Sequence, residues 1–113
     1  MRTACLLAAL AFGLFSYWHL NDLEQYGSRL WLGWALLYAA TSAISLFSVW
    51  KRLPRLLYWS AAAPTALAAA LRSLEIEWSA GILNNPGNPA GNETGGLLVV
   101  ALWLAFLGWN AGR

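Results

Sequence analysis

The side chains able to do polar chemistry gather in two stretches of this sequence. His19 and Asp22 stand about one helical turn apart, and a second group of acids follows residue 73. A histidine and carboxylates at such spacing are potential ligands for a divalent metal ion or partners in general acid–base catalysis. This candidate polar site comprises His19, Asn21, Asp22, Glu24, Glu75, Glu77 and Glu93.

Neither chemistry has a complete set of residues in the sequence. The chain has one histidine and one cysteine, and it lacks both the zinc-ligand spacing and the calcium-loop pattern. No nucleophile motif and no phosphate-binding glycine loop accompanies His19. We therefore predict a protein that is not an enzyme and that has neither a metal site nor a cofactor. The polar residues would then cap helix ends and solvate loops.

A second polar group lies within an apolar run. Its members recur at spacings of three and four residues, which places them on one face of a helix. This polar stripe consists of Trp34, Tyr38, Thr41, Ser45 and Ser48. We favour the interpretation that the stripe packs against another helix, because serine and threonine commonly do so in membranes. The alternative is a polar groove that lines the path of a substrate or cofactor.

The composition of the chain indicates the solvent that surrounds these residues. Of its 113 residues, 59% are hydrophobic and 11% are charged, whereas soluble domains have about 45–50% and about 25%. Such a chain lacks the polar surface needed to remain in water. The basic residues stand mostly at the ends of apolar runs and form no patch interleaved with aromatics. Nucleic acid is therefore not a predicted partner, despite the net charge of +2.

Four apolar runs approach the length of about 20 residues that crosses a bilayer. They cover about residues 3–20, 30–50, 54–72 and 95–110, with a long loop over 73–94. The fourth run is short, so we expect its helix to begin within the preceding loop or to lie where the bilayer is thin. The sequence predicts an all-α integral membrane bundle of four transmembrane helices, forming a single domain over residues 1–113.

The charges are sorted between the two sides of such a bundle. If all four runs cross, one side carries five basic residues and no acids, and the other carries two basic residues and all five acids. Lysine and arginine in short loops favour the cytoplasm. We therefore predict that both termini are cytoplasmic and that the candidate polar site lies outside. The excess of arginine over lysine suggests a bacterial source, and hence the cytoplasmic membrane of a bacterium.

Short motifs along the chain resemble a known family. They are HLND at residues 19–22, LWLGWALLY at 30–38 and NETGGLL at 92–98. With these motifs the chain resembles transmembrane family 220 over nearly its whole length. It departs from that pattern at Leu23, where the family has proline after the Asn-Asp pair. The resemblance implies a four-helix membrane fold and no established activity.

The sequence favours a non-catalytic accessory or structural subunit that packs against a larger membrane complex, for example an energy-transducing one. No ionisable residue stands at mid-depth in any predicted helix, and such residues usually mark ion and proton pathways. The expected partners are the lipid bilayer and other membrane protein subunits. The alternative is a small transporter, or a binder of a lipid, quinone or cation, that uses the acidic outer face.

Overall fold

The computed structural model of the protein describes residues 1–20, 31–83 and 87–111. Within these ranges the chain forms helices and no strands, which confirms the prediction of an all-α protein. The helices are α1 (Arg2–His19), α2 (Trp31–Trp50), α3 (Arg55–Ser73) and α4 (Pro89–Ala111). Residue contacts divide the chain into two compact units, Met1–Leu53 and Pro54–Arg113. Each unit contains one pair of packed helices.

In the first unit, α1 and α2 form an antiparallel hairpin. The Ser42 hydroxyl donates a hydrogen bond to the Ala9 carbonyl at 2.6 Å, and the Ser16 hydroxyl donates one to the Ala35 carbonyl at 2.7 Å. Higher residue numbers on α1 meet lower numbers on α2, so the two helices run in opposite directions. A Cβ on Gly13 would lie 3.5 Å from Ser42 Oγ. Small residues thus let the helices approach closely enough for these bonds.

The second unit is an antiparallel hairpin of α3 and α4. Near the start of α3, Trp59 lies over Gly108, where a Cβ on the glycine would come within 2.9 Å of the indole Nε1. At the other end of α3, Arg72 pairs with Glu93 near the start of α4. The residues that α3 buries recur at spacings of four, three and four, as two helices packed along their length require. These residues are Tyr58, Ala62, Thr65 and Ala69.

The fourth helix begins at Pro89, six residues before the predicted bound at residue 95. It therefore begins within the predicted loop, which was one of the two expectations for this short apolar run. The prolines and glycines before residue 95 predicted a loop, but Pro89 occupies the first helical turn, where its missing N–H loses no hydrogen bond. The N–H of Gly91 then donates to the Asn88 carbonyl at 3.3 Å as the helix starts. The other three helices begin and end within one residue of their predicted bounds.

Among the described residues, two helices are long and apolar enough to cross a membrane. They are α2 over Leu32–Trp50 and α4 over Pro89–Ala111. The 18 residues of α1 fall short because they begin at Arg2 and end at His19. In α3 there is an arginine near each end, and much of the length between them is alanine, which is only weakly apolar. Length and composition therefore support two spans, where four were predicted.

Candidate functional site

The polar stripe of α2 is largely buried. Tyr38, Thr41, Ser45 and Ser48 are buried, and Trp34 is half-buried. The three hydroxyls of Thr41, Ser45 and Ser48 each donate to the carbonyl four residues earlier on the same helix, at 2.7 to 2.8 Å. Such bonds satisfy a hydroxyl in apolar surroundings without help from a second helix. Ser42, which lies beside the stripe, and Ser16 on α1 donate across to the other helix.

His19 lies in an aromatic cluster at the end of α1. Its ring centroid is 5.0 Å from that of Tyr38 and 6.3 Å from that of Trp34. Phe12 stacks on Tyr38, and Phe15 meets it edge-on. The Nδ1 atom of His19 lies 2.7 Å from the Phe15 carbonyl oxygen, and since a carbonyl only accepts, Nδ1 carries the hydrogen of this bond. The histidine is therefore oriented by its own helix and by aromatic packing.

Three of the candidate polar residues, Asn21, Asp22 and Glu24, lie outside the residues that the structure describes. The pairing of His19 with Asp22 as metal ligands or as an acid–base pair therefore stays a prediction. Within the described ranges, no group of three or more histidine, cysteine, aspartate or glutamate side chains is placed to hold a metal ion.

In the second unit, Arg72 brings two of the candidate acids together. Its Nε donates to Glu93 Oε2 at 2.6 Å, and its Nη1 contacts Glu75 Oε2. We call these three residues the Arg72 cluster. The side chains of Arg72 and Glu93 are 30% and 20% exposed, whereas that of Glu75 is 62% exposed. The bond to Glu93 is the more shielded from water, so it contributes more to joining α3 and α4.

The remaining candidate acid, Glu77, is held through its backbone. Asn88 is only 3% exposed. Its Oδ1 accepts from the Glu77 N–H at 3.1 Å, and its Nδ2 donates to the carbonyls of Glu77 and Gly81 at 2.9 and 3.2 Å. We call this arrangement the Asn88 clamp. It fixes residues 77–81 against the start of α4.

The backbone at Ile82, just after the Asn88 clamp in the connection between α3 and α4, packs closely against α4. A Cβ on Gly91 would overlap the carbonyl oxygen of Ile82. Glycine at this position therefore lets the chain after the clamp lie directly against the first turn of α4. The Asn88 clamp and this contact together give the connection between α3 and α4 a fixed conformation.

Arg72 and Asn88 are the organising residues of this region, and neither belongs to the candidate polar site that the sequence predicts. A local signal for Arg72 existed, because it stands three residues before Glu75 on a helix end. A signal for Asn88 also existed, because asparagine directly before proline is typical of a helix start. Arg72 meets Glu93, and Asn88 meets Gly81, because the chain folds back between α3 and α4. No local sequence pattern predicts these two contacts.

The Arg72 cluster is an ion-pair network that joins two helix ends. A guanidinium offers only hydrogen-bond donors, and here it pairs with two carboxylates that would otherwise be available to a cation. A scan against protein-family models, a search of curated proteins and a search of solved structures found no match to this chain.

Replacing Arg72 with glutamine is expected to lower the free energy of unfolding by about 1–2 kcal/mol, because it leaves the part-buried Glu93 without a cation. The measurement is SDS titration in mixed micelles followed by circular dichroism. Glu75→Gln is the matched control, and its effect should stay below about 0.5 kcal/mol because Glu75 is exposed. A double-mutant cycle of Arg72→Gln with Glu93→Gln should show coupling. Equal losses from Glu75→Gln and Glu93→Gln would contradict this assignment.

Proposed function

We propose that this protein is a non-catalytic accessory subunit with four membrane-crossing helices, both termini in the cytoplasm, that packs against a larger complex in a bacterial cytoplasmic membrane. The resemblance to transmembrane family 220 implies the same architecture. The observation that carries the proposal is the distribution of apolar side chains in each hairpin. Long apolar side chains lie on the outside of every helix. The residues buried in α1, α2 and α3 are mostly small or polar, whereas α4 also buries Leu97, Val100, Leu104 and Leu107.

The two long apolar helices illustrate this distribution. Only 28% of the α2 span and 39% of the α4 span are buried, whereas the core helix of a soluble protein is mostly buried. The uncovered positions include Leu36 and Leu102, which are 59% and 68% exposed. Soluble monomers rarely expose contiguous apolar surface on this scale. Lipid chains and the apolar helices of other membrane proteins are surroundings that suit it.

The two less apolar helices, α1 and α3, also place their long apolar side chains on the outside. In α3, Thr65 and Ala69 are buried while Leu67 and Leu71 are 61% and 59% exposed. An alanine-rich inner face allows close helix packing, which is the main source of helix association in lipid. This supports four crossings even though α1 and α3 are less apolar than α2 and α4.

The Arg72 cluster favours the accessory role over the alternative of a cation binder or transporter. Two of the acids on which that alternative depends, Glu75 and Glu93, are paired with Arg72. No ionisable residue stands in the middle of α2 or α4, where coupled transporters usually place one. The apolar outer faces therefore give better support to contacts with neighbouring helices than to ion transport.

Site-specific photo-crosslinking in native membranes tests the proposal. A photoreactive amino acid is placed at the exposed positions Leu36 and Leu102 and, as matched controls, at Thr41 and Leu104, which are each 2% exposed. The exposed positions should yield a discrete adduct with another membrane protein, and the buried positions should not. Lipid adducts alone, together with recovery of the isolated chain in mild detergent, would contradict the accessory role. Release of the chain by alkaline carbonate would contradict membrane insertion.

A further inference from the structure

The connection between α3 and α4 exposes large apolar side chains beside charged ones. Leu74, Trp78 and Leu83 are 81%, 69% and 65% exposed. They alternate with Glu75 and Glu77, which are also exposed. Leu74 and Trp78 are not folded into the hairpin, and Leu83 lies beside Gly95 at the start of α4 while staying largely exposed. The segment that carries them nevertheless has a defined conformation.

That conformation is enforced from the start of α4. The buried amide of Asn88 bonds to Glu77 and Gly81 on either side of Trp78. Gly91 then accepts the backbone of Ile82 in direct contact, which leaves no room for a side chain at position 91. The backbone of the segment is therefore already ordered. Less conformational entropy is then lost when its apolar side chains meet another surface.

The depth of the segment follows from the helices to which it is fixed. In the first turns of α4 the polar side chains are those of Asn92, Glu93 and Thr94, and continuous apolar sequence begins at Leu97. With a rise of about 1.5 Å per residue, Glu93 lies about 6 Å from Leu97 along the helix axis. The Arg72–Glu93 pair thus marks the boundary between apolar and polar surroundings, and Leu74 follows Arg72 by two residues.

We infer that residues 74–83 form a preformed anchor that inserts Leu74 and Trp78 into the headgroup region of a zwitterionic lipid bilayer. This inference rests on the membrane location given under the proposed function. Tryptophan prefers that region because its ring is apolar and its N–H is polar. Glu75 and Glu77 repel anionic headgroups, and Arg72 is already paired with two carboxylates. The partner is therefore a neutral lipid surface.

Nitroxide labels in phosphatidylcholine vesicles test this inference. In a Cys5→Ala background, labels are attached through Leu74→Cys and Trp78→Cys on the anchor, Ser79→Cys as the neighbouring exposed control, and Leu102→Cys on α4. The ratio of oxygen to nickel-complex accessibility reports whether each label lies in lipid or in water. We expect the ratio to be highest at 102, intermediate at 74 and 78, and lowest at 79, with the ratios at 74 and 78 clearly above that at 79. Asn88→Ala should make the label at 78 more mobile and lower its ratio.

The outcomes distinguish a failure of the anchor from a failure of the proposed function. Lipid-type accessibility at 102 with water-type accessibility at 74 and 78 would overturn the anchor and leave the membrane location standing. Water-type accessibility at 102 would overturn the membrane location, and the anchor with it. Labels at 74 and 78 that are shielded from both oxygen and nickel would mean that protein covers the segment, which also overturns the anchor. Deeper insertion in phosphatidylglycerol vesicles would overturn the choice of a neutral lipid.

Discussion

Replacing Gly91 with alanine is expected to lower the free energy of unfolding by about 2–3 kcal/mol. The new Cβ would overlap the Ile82 carbonyl oxygen and would lie 2.7 Å from the Ile82 side-chain Cγ2. Because the obstacle includes backbone, no rotation of a side chain can relieve it, and either residue 82 or the first turn of α4 must move. The greater helix preference of alanine, about 1 kcal/mol, offsets only part of this cost. SDS titration in mixed micelles measures the change.

Gly95→Ala is the matched control on the same helix. Its Cβ would lie 4.0 Å from Leu83 Cδ2, which is ordinary van der Waals contact. The substitution should therefore be neutral or should stabilise the helix by up to about 1 kcal/mol. The two alanines thus have opposite expected signs, although they stand four residues apart. Equal effects at the two positions would contradict the close approach of Ile82 to α4.

Helix positions were predictable from the sequence wherever apolar runs end at charges. Arg29 and Lys51 bracket the second run, and the third run was predicted to end at Arg72. The predicted bounds of these two helices differ from the observed ones by a single residue at most. The start of α4 was not predictable by the same rule. Proline and glycine usually interrupt a helix, but Pro89 stands in the first turn and Gly91 permits a backbone contact that a larger residue would block.

The candidate site was predictable only where its contacts are local. The spacing of the polar stripe predicted one shared helix face, and the hydroxyls of Thr41 and Ser45 donate along that same helix. The acids near residue 75 were recognised as a group, but the sequence does not show that Arg72 joins Glu75 to Glu93. That contact spans 21 residues, and it forms because the α3–α4 hairpin brings distant positions together.

Asn88→Ala is the second substitution with a large expected effect. It should lower the free energy of unfolding by about 2–3 kcal/mol, because three backbone groups lose their partner while the cost of desolvating them remains. These groups belong to Glu77 and Gly81, which lie near water, so partial rehydration keeps the loss from being larger. Amide hydrogen exchange at Glu77 should accelerate markedly, since its N–H donates to the Asn88 side chain. Both quantities are measured on the reconstituted full chain.

Two further variants separate the clamp from a general effect of replacing asparagine. Asn92 stands four residues later on α4 and is exposed, so Asn92→Ala should change stability by less than about 0.5 kcal/mol. Asn88→Asp keeps the acceptor for the Glu77 N–H but loses the two donors and sets a carboxylate against two carbonyl oxygens. It should therefore destabilise the hairpin at least as much as Asn88→Ala at neutral pH. If Asn88→Asp left the stability unchanged, the hydrogen bonds that Asn88 donates to Glu77 and Gly81 would have no role in holding the connection. The rigidity that the membrane anchor requires would then have to come from the contact between Gly91 and Ile82 alone.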